Sequence, residues 1–163
     1  IRDAAEVGAS VKYIAQFTLT PEGSALSVCP RFVPETDILA HIHDVFNGIR
    51  VTTTMLGDIL YYGRGAGRLP TAAAVCGILS GALSHEKTPV FVRAAEAAID
   101  PERVPCRRYA RFAHDVYDAL THFTAVQRVP GTTDAYVTEP VTGETWRAIA
   151  DTFGEPVAAY WFL

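Results

Sequence analysis

The segment from Ile59 to Leu83 constrains the fold more than any other part of this sequence. It reads ILYYGRGAGRLPTAAAVCGILSGAL, an apolar run, then three spaced glycines, then an Ala-rich run opened by Pro70. The first run predicts a strand, and proline at the first helical position followed by alanines is typical of a helix start. Glycines at such a junction leave backbone N–H groups free and let a ligand approach closely. The segment therefore predicts either a binding loop for an anionic or carbonyl group or a plain tight turn.

This loop differs from the two best-known phosphate-binding loops. Arg68 stands at the sixth position counted from Gly63, where the dinucleotide fingerprint G-x-G-x-x-G requires glycine. No Gly-Lys-Ser/Thr follows, as the Walker A loop would require. The loop by itself therefore does not identify a nucleotide site.

The first half of the chain reads as an antiparallel sheet. Arg2 to Ala9 is expected to end a helix, with Gly8 as the stop, and Asp37 to His43 is either a helical turn or a loop. Alternating or β-branched runs predict four strands, of which the first two form a hairpin and the second is irregular or at an edge because of Pro30 and Pro34. These strands are Val11–Thr20, Ala25–Val33, Phe46–Thr54 and Ile59–Tyr62, with a turn at Gly57-Asp58.

The second half reads as a separate β-α-β-β-α-β unit. Polar or proline-rich breaks at His85–Pro89 and Asp100–Pro105 flank a short expected helix, Phe91–Ile99. Six elements then follow at 107–112, 115–123, 124–129, 135–138, 143–153 and 157–163. This order is that of the split βαβ, ferredoxin-like arrangement. We therefore expect an α+β protein, with a mainly antiparallel or mixed sheet followed by a ferredoxin-like domain.

Composition excludes several classes of function. The formal net charge of −4 over 163 residues disfavours nucleic-acid and anionic-membrane partners, and no apolar run has the ~20 residues of a membrane span. The three cysteines, Cys29, Cys76 and Cys106, are widely spaced, which favours free thiols and a cytoplasmic location. The sequence starts with Ile1 and shows no signal peptide. Because its opening residues already look helical, we expect a piece cut from a longer protein.

Two histidines, His41 and His43, share one face if the chain there is extended, but no third ligand lies nearby in the sequence. We therefore predict no metal site. Lys12 and Lys87 are the only lysines, and neither stands in a context that indicates a catalytic base. The aromatic run from Tyr160 to Phe162 is expected to serve as core and subunit interface.

Four segments of the first half resemble one enzyme family. They are VKYIAQFTL, PRFVP, LAHIHDVFNGIRV and, most specifically, YYGRGAGRLPTAAAV. Together they resemble the C-terminal part of the catalytic region of homoserine dehydrogenase, where the loop pattern is close to Y-G-x-G-A-G-x-x-P-T-A-S-A-V. The tail resembles an ACT-like regulatory module, although Val116 and Tyr117 stand where that module has Pro-Gly.

The resemblance implies a function for the complete enzyme: reduction of aspartate 4-semialdehyde to homoserine with NADPH or NADH. It also implies that the cofactor, NADP or NAD, is bound mainly by an N-terminal Rossmann domain that this sequence lacks. The catalytic lysine and carboxylates would lie upstream as well, so no catalytic residue is assigned and the chain alone is expected to be inactive. The residues that resemble cofactor-contacting positions are Gly65, Ala66, Gly67 and Thr71.

The expected domain organisation follows from the resemblance. Residues 1–88 would be the partial catalytic and dimerisation region, 89–105 a linker, and 106–163 the ACT-like domain. We expect a homodimer or a tetramer, because the sheet would otherwise expose an apolar face and open edges. The alternative hypothesis is a stand-alone regulatory or amino-acid-binding ACT-like protein.

Overall fold

The computed structural model describes residues 2–21, 23–84 and 99–163. The expected break at His85–Pro89 and all but the last residue of the expected helix at Phe91–Ile99 lie outside these residues. The described residues fall into two compact units, one within Ile1–Ala40 and Glu96–Leu163 and the other within His41–Ala95.

The elements follow the expected order for most of the chain. In order, they are α1 (Arg2–Glu6), β1 (Ala9–Thr20), β2 (Gly23–Pro34), a 3-10 helix (Ile38–His41), β3 (Phe46–Thr53), β4 (Gly57–Arg64), α2 (Arg68–Leu83), a second 3-10 helix (Pro101–Arg103), β5 (Arg108–Arg111), α3 (Tyr117–Leu120), β6 (Val126–Arg128), β7 (Ala135–Thr138), α4 (Gly143–Phe153) and β8 (Ala158–Phe162). The mixed α+β architecture is therefore confirmed.

The first unit is built on a six-stranded sheet in the order β1-β2-β8-β5-β7-β6. The hairpin of β1 and β2 is paired along its whole length. Strand β8 joins β2 in parallel through only two residue pairs, Arg31↔Trp161 and Phe32↔Phe162. It pairs with β5 in antiparallel orientation, and the β5–β7 and β7–β6 pairs are antiparallel too. The last strand of the described chain thus lies inside the sheet.

The expectation that β2 is irregular or at an edge was wrong, because β2 is continuous and lies between β1 and β8. The carbonyl of Phe32 accepts a hydrogen bond from the N–H of Leu163 at 3.0 Å, so the backbone polar groups of Phe32 point toward β8. The backbone of Pro30, two residues earlier, is turned to the same edge of the strand. Since β8 pairs only with Arg31 and Phe32, the N–H that Pro30 lacks interrupts neither ladder.

Two apolar clusters cover opposite faces of this sheet, since Tyr109 and Ala110 alternate along β5. The members of the first are Ala4, Ala9, Phe32, Tyr109, Val129, Ala135, Val137 and Phe162. The members of the second, beneath α3 and α4, are Ala110, Phe112, Val116, Leu120, Tyr136 and Ile149. The amphipathic helix expected at 143–153 is confirmed with the same bounds, and its N-cap Thr142 accepts a hydrogen bond from the N–H of Thr145.

Helix α3 spans only Tyr117–Leu120 of the expected 115–123, because Val116 is its N-cap and residues 121–123 form turns. The Asp115 carboxylate accepts the N–H of Tyr117 at 2.9 Å. The N–H of Val116 donates to the hydroxyl of Tyr136 at 3.1 Å. Side chains thus satisfy both N–H groups, which at the start of a helix have no intrahelical partner.

The second unit consists of the β3–β4 hairpin and helix α2. The expected turn at Gly57-Asp58 was misplaced, because residues 54–56 make the turn and Gly57, with φ of +68°, opens β4. Helix α2 begins at Arg68, so Pro70 is its third residue and not its first. That position is still in the first turn, where the missing N–H has no intrahelical partner to lose.

Helix α2 is apolar on all sides and has no buried residue. Leu69, Ile78 and Leu83 are 76%, 73% and 79% exposed. All-round apolar helices are normally buried, whereas this one is exposed within its unit. No helix in the described part of the chain is long and apolar enough to cross a membrane.

Candidate functional site

The glycine loop is a three-residue connection between a strand and a helix. Strand β4 ends at Arg64 and α2 begins at Arg68, so the residues between them are Gly65, Ala66 and Gly67. The N–H of Gly65 donates to the carbonyl of Val45 at 2.9 Å, and the N–H of Thr71 donates to the carbonyl of Gly67 at 3.1 Å. Both ends of the connection are thereby fixed by backbone hydrogen bonds.

Two of the glycines are favoured for different reasons. A Cβ at Gly65 would lie 1.9 Å from Nδ2 of Asn47, so any side chain there would require Asn47 or the loop to move. Gly67 has a φ of +119°, in the region that L side chains rarely adopt. At Gly63, by contrast, a Cβ would point into open space, with no atom within 4 Å of it.

The loop leaves backbone donors at the start of α2. Gly67 occupies the N-cap position and has no side chain with which to cap the helix. Gly65, Ala66, Gly67 and Thr71 are all exposed, and the three loop residues and Thr71 lie close to each other in sequence around the first helical turn. A helix N-terminus of this kind favours anionic or carbonyl groups. The loop can therefore hold such a group against its backbone.

The histidines and cysteines show no sign of a metal centre. His41 ends the first 3-10 helix and His43 follows it. Among residues 2–21, 23–84 and 99–163, no three His, Cys, Asp or Glu side chains come together as metal ligands. Within the same residues, Cys29, Cys76 and Cys106 are free thiols, and only Cys76 is exposed.

A polar cluster around Asp115 was not foreseen from the sequence. Nη1 of Arg128 donates to its carboxylate at 2.9 Å, and the hydroxyl of Tyr136 donates to the same group at 2.6 Å. The hydrogen bonds from Arg128, Tyr136 and the N–H of Tyr117 hold the pKa of Asp115 well below its usual range. Arg128 and Tyr136 come from β6 and β7, so no local spacing could have indicated these two partners.

This cluster predicts a specific loss of stability in acid. A carboxyl whose pKa is lower in the folded state stabilises the fold above its unfolded pKa, near 3.9, and stops doing so as pH falls through the folded value. We expect Asp115→Asn to have a lower urea midpoint than the wild type at pH 7, and the two midpoints to converge below about pH 4. Asp151→Asn, on the exposed surface of α4, is the control. A constant difference from pH 7 to pH 3 would contradict the prediction.

A second carboxylate ties the first helix to the sheet. Asp3 of α1 accepts hydrogen bonds from the hydroxyl of Tyr109 and from Nη2 of Arg111, the latter at 2.6 Å. Burial raises the pKa of Asp3, but these two hydrogen bonds together with the positive charges of Arg111 and Arg2 lower the pKa overall. The contact joins the start of the described chain to β5.

Comparison with known proteins relates the first half of the chain to one enzyme family. A family model described as homoserine dehydrogenase matches residues 1–79. The homoserine dehydrogenase of Neisseria gonorrhoeae is 44% identical over 75 residues, which are 46% of this chain and 17% of that protein. That of Corynebacterium glutamicum is 38% identical over 91 residues, 53% of this chain and 20% of its own length. The chain thus spans a minor part of these relatives.

Solved structures extend the likeness of fold to the whole chain. The homoserine dehydrogenase of Thiobacillus denitrificans has a TM-score of 0.75 at 23% identity, covering 100% of this chain and 44% of that structure. A structure of the S. aureus homoserine dehydrogenase has a TM-score of 0.74 at 20% identity, with 43% of it covered. The matches favour the hypothesis of a homoserine dehydrogenase fragment over that of a stand-alone ACT-like protein. The match over residues 1–79 places this part of the chain in the homoserine dehydrogenase family.

Proposed function

We propose that the protein takes part in the reduction of aspartate 4-semialdehyde to homoserine with NADPH or NADH. The observation that carries this proposal is the family match over residues 1–79, which includes the whole glycine loop. The strand–glycine–helix geometry supports it independently, because exposed backbone donors at a helix start suit the polar groups of a dinucleotide. Cytoplasmic location is part of the proposal and is supported by the free thiols among the described residues.

Within this function, the role of the loop is to position the cofactor. The residues that would contact it are Gly65, Ala66, Gly67 and Thr71. The bound nicotinamide supplies the hydride, and the protein supplies orientation and electrostatics. Gly65 allows close packing on Asn47, and Gly67, with a positive φ, makes the turn into α2 as its N-cap. A dinucleotide-binding domain and the proton-transferring side chains would come from a preceding part of a longer protein.

The proposed organisation has a catalytic and dimerisation region at 1–88, a linker at 89–105 and a ferredoxin-like, ACT-like domain at 106–163. The order of the C-terminal strands supports the last of these. In the sheet, β8, β5, β7 and β6 are neighbours in that order, and each pair is antiparallel. Helix α3 follows β5 and α4 follows β7. This is the strand order that two interleaved split βαβ units produce.

An exposed apolar face supports the proposal of a homodimer or a tetramer. Tyr13, Phe17 and Leu19 alternate along β1 and are 74%, 58% and 75% exposed. Leu26 lies opposite Phe17 in the hairpin and continues the same face on β2. A contiguous apolar surface of this kind is typical of a protein interface, and two-fold assemblies are the commonest solution.

The test is an activity assay on two proteins, this chain alone and the longest reading frame that contains it. We expect the longer protein to oxidise NADPH or NADH when aspartate 4-semialdehyde is added, and not in its absence. The 163-residue chain alone is expected to be inactive, because it contains no G-x-G-x-x-G segment. An inactive, folded longer protein would overturn the proposed reaction. Activity of the chain alone would overturn the placement of the essential residues upstream.

A further inference from the structure

Two buried arginines flank a tryptophan at the centre of the six-stranded sheet. Arg31 of β2 and Arg108 of β5 are both register partners of Trp161 in β8, so the three side chains form a row on one face. The Cζ atom of each guanidinium lies 4.8 Å from the centroid of the Trp161 ring. The aromatic ring therefore separates two cations.

The positive charge of this row is only partly neutralised by the described residues. Arg31 and Arg108 are each 3% exposed. Arg108 forms an ion pair with Glu102. The partners of Arg31 are uncharged: its Nη1 donates to the carbonyl of Phe162 at 3.1 Å and its Nη2 to Oγ of Ser27 at 2.6 Å. The row thus contains two guanidiniums and one carboxylate.

Further donors of the row have no acceptor. The Nε atoms of Arg31 and Arg108 are buried and find no hydrogen-bond partner among the residues that the structure describes. Burying a cation without an opposite charge, or a donor without an acceptor, carries a substantial free-energy cost. Such a group in a folded protein needs an explanation, and a negatively charged ligand beside Arg31 would supply the opposite charge that this residue lacks.

Arg31 lines a cleft that could admit such a ligand. The cleft has a volume of about 280 Å³ and lies wholly within the first unit. Its polar lining includes Gln16, Thr18, Ser27 and Arg107 beside Arg31, and Cys106 and Trp161 also face it. None of the described residues that line the cleft is acidic. Its volume fits a small molecule, not a polymer.

We propose that this cleft binds a small oxyanion, a carboxylate or a phosphate group, through the guanidinium of Arg31. Arginine pairs with planar or tetrahedral oxyanions through charge-assisted hydrogen bonds, which are roughly twice as strong as neutral ones. Arg107 adds a second positive charge at the exposed side of the cleft. The site is formed by β1, β2, β8 and the segment before β5, so it shares no residue with the glycine loop and does not depend on the proposed reaction.

Trp161 provides a direct readout of binding. The chain has two tryptophans, Trp146 and Trp161, so Trp146→Phe leaves the ring of the Arg31 row as the only indole. In this background, succinate and inorganic phosphate are each titrated at constant ionic strength, with sodium chloride as the reference. We expect a saturable change in fluorescence with at least one of the two anions, and the anion that binds identifies the group. A response no larger than that to chloride with both anions would overturn the proposal.

Variants of Arg31 test the assignment of the site. Arg31→Gln is expected to weaken binding at least about tenfold, since a charge-assisted hydrogen bond is lost. Arg147→Gln, which removes an exposed arginine from α4, should bind like the parent protein. Arg31→Lys keeps the charge and serves if the glutamine variant does not fold; it should retain weaker binding than the parent. Unchanged affinity in either folded Arg31 variant would contradict the proposal.

Discussion

Replacing Phe32 with alanine is expected to lower the free energy of unfolding by about 3 to 5 kcal/mol. Phe32 is 2% exposed, and its ring lies 4.9 Å from that of Tyr109 and 5.4 Å from that of Phe162, measured between centroids. It also stacks on Tyr160 at 5.1 Å. The substitution therefore removes the centre of an aromatic cluster that joins β2 to β5 and β8.

Urea unfolding followed by circular dichroism measures this loss. Phe32→Leu keeps an apolar side chain and is expected to lose clearly less stability than the alanine variant. Met55→Ala, at a side chain that is 93% exposed in the β3–β4 turn, should stay within about 0.5 kcal/mol of the wild type. A loss below about 1 kcal/mol for Phe32→Ala would show that the cluster does not hold the hairpin.

The second large effect concerns the glycine loop. Gly65→Ala is expected to lower kcat/KM of the longer protein with NADPH or NADH by about 100-fold, because a displacement of about 1 Å at a positioning site has that consequence. The new methyl would collide with the side chain of Asn47, and the loop or Asn47 must move. Steady-state kinetics with aspartate 4-semialdehyde at varied cofactor concentration measures the change.

The loop offers a matched control and a rescue. Gly63→Ala places a methyl group in open space two residues earlier, so its kinetics should stay close to those of the wild type. Adding Asn47→Ala to Gly65→Ala removes the atoms in collision and is expected to restore part of the activity. Equal losses in the two glycine variants, with no rescue in the double variant, would contradict the steric explanation.

Local sequence patterns predicted the helices and strands better than the tertiary contacts between them. The bounds of β7 and α4 agree with those expected from alternation and helical spacing. The start of helix α3 is fixed in part by the hydrogen bond from Val116 to the hydroxyl of Tyr136, 20 residues away, which no spacing rule registers. Likewise, the Arg31 row depends on a contact with β8 that spans 131 residues. The glycine loop was found because its geometry is local; the contacts of its cofactor remain a proposal.

The position of β8 has a consequence for the order of folding. This strand comes after every other strand that the structure describes, yet it lies between β2 and β5. During synthesis the β1–β2 hairpin therefore has no neighbour on its β2 side until the residues of β8 leave the ribosome. Closure over such a sequence separation is slow, because loop entropy is lost before the contacts form. Until then, β2 and β5 each present an unpaired edge, and a chain that terminates before β8 would keep both edges open to aggregation.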